Sequence, residues 1–192
     1  MSDVIDILDD TKTTDAWYDP KKDFQGLIPE GDYKAHVKSL NIKKNIVVKG
    51  KHLSDIYTLS FIIAEDNSDT EFETEDGKTV SGSAFVGREV YSKGFFRFKK
   101  PNKAQYPQLS ESMGSNKSYM DLVDSLGVTV EESEGRYYLP ELDESDVAGK
   151  PIIGRLFHDG WTDREGNERT SAKVSMIFEW ADGKQKEEDL PF

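Results

Sequence analysis

Between residues 88 and 103 the chain interleaves cations with aromatic rings: Arg88, Lys93, Arg97, Lys99, Lys100 and Lys103 alternate with Tyr91, Phe95, Phe96 and Phe98, and Glu89 is the single acid. That mixture suits an extended polyanion with flat faces. Cations track phosphates, and aromatic rings stack bases for roughly 1 to 3 kcal/mol each, with no need for a defined base sequence. In residues 95–98, strand alternation puts Phe96 and Phe98 on one face and Phe95 with Arg97 on the other, and Phe95 is expected to be the exposed ring. A second basic island, residues 33–54, holds Lys34, Lys38, Lys43, Lys44, Lys49 and Lys51 and no acid. Farther on, Arg155 and Phe157 share a strand face, and Trp161, Arg164 and Arg169 follow. The competing explanation for the lysines is a solvated edge strand. For Trp161 it is a lid on the core.

Other chemistry finds weaker support. Gly77-Lys78-Thr79 has the end of a phosphate-binding loop, but Phe72 stands where the first glycine belongs, so a turn before a strand is the better reading. Asp76-Gly77-Lys78 has the Asp-x-Lys spacing of some metal-dependent nucleases, with Glu65 and Asp66 upstream as ligands in that reading. His36, His52 and His158 show no metal-ligand spacing, and no serine sits in a nucleophile elbow. The chain has no cysteine, which excludes disulfides and thiolate metal sites and fits a reducing compartment. Neither an enzyme nor a cofactor or metal site is expected.

The elements that must position these residues are mostly strands. Tyr33, Ala35 and Val37 alternate with Lys34, His36 and Lys38, the period of a half-buried strand. Residues 45–52 read as a basic connection. A second strand covers residues 56–63, and the acidic residues 65–76 form a solvated loop or hairpin tip. A third extended region, residues 80–100, is interrupted by Gly82, Gly87 and Gly94, which suggests bulges. Tyr119, Leu122, Val123 and Leu126 recur at helical spacing and Gly127 stops the helix. Residues 136–139 read as a short strand, residues 149–157 as the next strand and residues 163–167 as a turn. Last, Val174, Met176, Phe178 and Trp180 are expected to form the buried face of a final strand.

Three strands, a helix and two strands give a mainly β protein: an OB-fold-like five-stranded barrel with one helix between strands three and four and inserted loops. The expected organisation is a flexible arm over residues 1–26, the barrel over 27–180, and a disordered acidic tail over 181–192. The arm carries Trp17, Tyr18 and Phe24 among its acids. A hydrophobic share of 35% with 11% aromatics supports one good core, and no apolar stretch is long enough to span a membrane. The net charge of −12 counts against nucleic acid as a whole. Its distribution does not, because acids gather in the arm, in residues 65–76 and 131–146 and in the tail, leaving the basic islands between them. The final residues, Glu187, Glu188, Asp189, Leu190, Pro191 and Phe192, set carboxylates beside an apolar tip, a form suited to capture by a basic, apolar pocket on a partner.

With these residues in view, the chain resembles single-stranded DNA-binding proteins of bacteria and especially of bacteriophages. The family's acidic tails end in an aliphatic residue, Pro and Phe, the pattern of residues 187–192. The body is similar over residues 27–38 and 149–180, including Gly149-Lys150-Pro151 and Phe157-His158-Asp159-Gly160-Trp161. Lys184 and Lys186 dilute the tail, and the helix and acidic loops have no counterpart in the family. The resemblance implies a protein that coats exposed strands in replication, recombination and repair, recruits replication or recombination proteins through its tail, and works in the cytoplasm of a phage-infected host cell. The alternatives are a strand-annealing or protein-interaction factor of the same fold and, third, a nuclease using Asp76 and Lys78.

Overall fold

Alternating apolar and polar residues from Gly31 onward build strands, because a period of two turns one face of each strand inward. The computed structural model describes residues 26–111 and 114–183. In chain order the strands are β1 (Gly31–Val48), β2 (His52–Ile63), β3 (Glu71–Glu73), β4 (Thr79–Ser81), β5 (Glu89–Ser92), β6 (Phe95–Phe98), β7 (Glu131–Ser133), β8 (Arg136–Tyr138), β9 (Pro151–Thr162) and β10 (Glu168–Glu179). Helix α1 (Lys117–Ser125) lies between β6 and β7, and the one-turn helix α2 (Glu144–Val147) precedes β9. All but the last residue of the expected arm, and residues 184–192 of the expected tail, lie outside the described residues.

β1 pairs antiparallel with β2 and β9, β9 with β10, and β2 with β5, while β10 and β5 run parallel. These pairings close a mixed five-stranded barrel of OB-fold order, and β6 continues β5 along β2. Closure requires bent strands, and β1 bends at two register shifts, between Val37 and Ser39 and between Lys43 and Ile46. Gly94 breaks the chain between β5 and β6 at φ +97°, where a Cβ would meet Ile56 Cγ2 at 3.0 Å. Tyr33, Val37, Tyr57, Leu59, Phe61, Ile152, Leu156 and Val174 fill the barrel. Tyr119, Leu122 and Val123 of α1 join the same core. Asn116 anchors this helix to β6, accepting from Phe98 N (2.7 Å) and donating to Phe98 O (3.1 Å), and Gly127 ends it at φ +61°.

Three expectations are corrected. The expected basic connection over residues 45–52 is mostly strand: β1 runs on to Val48, and the turn shrinks to residues 49–51, with Lys49 and Gly50 at positive φ. Residues 80–100 form three short strands and a one-turn 3-10 helix. In β10 the register slips between Val174 and Met176, so one extra residue inverts the alternation. Met176 and Phe178 are therefore 54% and 38% exposed, and Ile177 takes the buried position. No described helix is long and apolar enough to cross a membrane.

Candidate nucleic-acid interface

The pairing registers draw one row across the outside of the barrel. Phe157 on β9 lies opposite Lys173 on β10, Lys173 opposite Tyr91 on β5, Tyr91 opposite Ser60 on β2, and Ser60 opposite Ser39 on β1. Inward neighbours Leu156, Val174 and Val90 belong to the core, so Phe157, Lys173 and Tyr91 face out, while Ser60 is buried and bonded to Ser39. Tyr91 is 52% exposed at its centre. Lys93, two residues on, is exposed and holds its ammonium 6.0 Å from the centroid of the Phe157 ring. Four residues beyond Phe157 on the same face of β9, about 13 Å along the strand, Trp161 is 46% exposed. It is not a lid on the core. The Lys173 ammonium sits 5.7 Å from the Trp161 ring centroid and is ion-paired with Asp159.

Two open aromatic faces thus share one side of the barrel with Lys93 and Lys173. Arg164 is exposed in the β9–β10 turn beyond Trp161. That turn is fixed by Asp163, which accepts from the backbone N–H groups of Glu165 and Asn167 (2.9 Å each) and from Arg169 Nε (3.0 Å). The Asn167 and Glu165 amides and Arg169 hold the Asp163 carboxyl below the usual range. Lys173 was not among the expected binding residues, although its place on the polar side of the final strand was a readable signal.

Five of the other expected cations, Lys44, Arg88, Arg97, Lys99 and Arg155, are engaged elsewhere. Asp55 on β2 is fully buried, and Lys99 Nζ (2.7 Å), Asn45 N (2.8 Å) and Arg97 Nη1 (3.5 Å) converge on its carboxylate. Burial alone would raise its pKa. The Lys99 and Asn45 hydrogen bonds and the two cationic charges outweigh that and lower it. Arg97 also donates to Leu139 O (3.0 Å) and pairs with Glu141 (3.3 Å), and Lys44 pairs with Glu141 at 2.8 Å. Arg155 makes a two-pronged pair with Asp32 (2.7 and 2.8 Å) and lies 5.1 Å from the centroid of Phe178. Half-buried Arg88 donates twice to Gly26 O at 3.3 Å. Lys43, Lys49, Lys51 and Lys100 are exposed.

Phe95 is the clear correction within the site. It is 3% exposed and pairs with Tyr57, because the break at Gly94 restarts the alternation and turns Phe95 and Arg97 toward the interior. Phe96 and Phe98 take the outer face half-buried, stacked at 5.9 Å. Asp76 is ion-paired with Lys78 and accepts from Thr74 Oγ1 at 2.6 Å, within the turn of the β3–β4 hairpin. The proposed partner-binding tail, Glu187 to Phe192, lies outside the described residues. No protein-family model matches the chain and no curated protein matches it, so the assignment of a function rests on the geometry of this outer face.

Proposed function

We propose that this protein binds single-stranded DNA without reading its sequence, coating exposed strands during replication, recombination or repair in a phage-infected cell, while its acidic tail recruits partner proteins. One observation carries the proposal: Tyr91 and Trp161 present open ring faces on one side of an OB-like barrel, with Lys93 and Lys173 beside them. Bases stack on such rings while phosphates meet the ammonium groups. Duplex DNA keeps its bases stacked on one another and offers no free face. Exposed rings flanked by lysines therefore favour the single strand.

The test is a tryptophan-fluorescence titration with oligothymidine and with a duplex of equal length at two salt concentrations. Trp180 is buried and Trp161 is open, so in a Trp17→Phe background quenching by the single strand is expected to disappear on Trp161→Phe. Engagement of Lys93, Lys173 and Arg164 gives a log–log salt slope of roughly −2. Equal response to the duplex, or none to either, overturns the proposal.

A further inference from the structure

β7 and β8 make a two-stranded ribbon, Glu131 opposite Tyr138, Glu132 opposite Tyr137 and Ser133 opposite Arg136. All six strand residues and the intervening Glu134 and Gly135 are exposed, and Tyr137 and Tyr138 are each 59% exposed. An isolated two-stranded hairpin is marginal in water without a surface to rest on. Here neighbouring positions put one tyrosine on each face of the ribbon, with a glutamate opposite it. The ribbon is thus an aromatic, acidic arm. Its acids, Glu131, Glu132 and Glu134, rule against a polyanion and call for a basic, partly apolar surface.

The chain itself carries such a surface. The β1–β2 hairpin exposes Lys49 and Lys51 at its tip beside Val47, which is 49% exposed, and Lys43 farther back along β1. Beyond Val37, whose backbone bonds to Gly149 and Lys150, β1 pairs only with β2, so this length of β1 has an open strand edge among the described residues. None of the ion pairs among the described residues uses Glu131, Glu132, Glu134, Lys43, Lys49 or Lys51. The two patches lie on the same flank, since Lys44 of β1 holds Glu141 at 2.8 Å and Arg97 of β6 holds Leu139 O at 3.0 Å, just after β8. Neighbouring complementary patches satisfy each other twice when two copies meet about a two-fold axis.

We infer that the protein self-associates as a two-fold dimer in which the β7–β8 ribbon of each copy lies against the basic β1–β2 hairpin tip of the other. The paired surface is distinct from the Tyr91 and Trp161 face, and its test contains no nucleic acid. Sedimentation velocity of the full chain over about a hundredfold concentration range should give a monomer–dimer equilibrium. Glu131→Lys with Glu132→Lys and Glu134→Lys should weaken the dimer by about tenfold or more, and so should Lys43→Glu with Lys49→Glu and Lys51→Glu. Mixing the two reversed variants is decisive, because both contacts of the mixed dimer are again complementary. Restored dimer in the mixture supports the assignment and shows that both variants are folded. A wild-type monomer at every concentration, a dimer indifferent to both reversals, or a mixture that stays monomeric overturns it. Mass that grows past two copies overturns the two-fold arrangement.

Discussion

Tyr91 and Phe95 are four positions apart on consecutive strands, yet one ring is open and the other is sealed in the core. The backbone break at Gly94 separates them. The two residues therefore fail differently when truncated. Tyr91→Ala is expected to leave thermal stability nearly unchanged and to weaken oligothymidine binding by about 5- to 100-fold, the loss of one stacked base. Phe95→Ala removes a buried ring and should cost about 3 to 5 kcal/mol of stability. Urea denaturation and the fluorescence titration read the two effects separately. A large stability loss in Tyr91→Ala would place that ring in the structure's support, and unchanged affinity would remove it from the interface. From residue types, Tyr91 and Phe95 were equally good stacking candidates, because composition shows that rings and cations coincide but not which side of the sheet each ring takes.

His158 shows how a single contact ties elements together. Its imidazole lies against the turn of the β3–β4 hairpin and against the segment entering β1: Nδ1 is 2.6 Å from Glu75 Oε1, and Nε2 is 2.8 Å from Ile28 O. Its backbone N–H also donates to Glu30 Oε1 at 2.8 Å. Leu27, Pro29, Thr74 and Asp76 line the same small cavity, and the Asp76 charge is paired with Lys78. Both ring nitrogens face acceptors, so the doubly protonated ring satisfies the site and the neutral ring leaves one lone pair facing an oxygen. Burial opposes the charge, but the Ile28 carbonyl, Glu75 and Glu30 outweigh it and raise the pKa. A raised folded-state pKa contributes stability that is present below the unfolded value near 6.5 and is lost as pH rises through the folded value. The melting-temperature gap between the wild type and His158→Gln should therefore be wider at about pH 5.5 than at about pH 8.5. A gap that is constant, or that widens with pH, refutes the clamp.

For the whole molecule the proposed function raises the question of how a chain of net charge −12 would hold a polyanion at all. On the outer row Asp159 is paired with Lys173, and elsewhere among the described residues several cations are paired with the buried Asp55 and with the exposed Glu141 and Asp32. The proposed binding face is thus weakly basic, and an acidic competitor would have a measurable effect on it. Residues 187–192 supply Glu187, Glu188 and Asp189. From Gly183 the remaining nine residues span at most roughly 30 Å. Lys173 lies six residues before the end of β10, roughly 20 Å back along the strand, within that reach. Deleting residues 187–192 should tighten oligothymidine binding several-fold at low salt and progressively less as salt screens the competition. On the proposed recruiting role, it should also abolish capture of replication or recombination proteins. Affinity unchanged at low salt would sink the competition, and retained recruitment would sink the docking role.

The sequence by itself determined the strand-rich barrel, its order, helix α1 between its third and fourth strands and the stop at Gly127, but not the one-turn α2. Each of these follows from local periodicity and backbone preference, which are properties of consecutive residues. It also located the basic and aromatic islands, with Tyr91 and Lys93 in one of them, and Trp161 and Arg164 farther on. Only the tertiary structure decided which of these stay open. A bulge in β10 exposed Met176 and Phe178, and Gly94 turned Phe95 inward. Asp55, distant in sequence from Arg97 and Lys99, became their partner. The pairing of β10 with β5 brought Lys173 opposite Tyr91. Facing is inherited along a strand until a single extra or left-handed residue reverses it, and charge partners are chosen across strands. Both are set by contacts between segments far apart in the chain.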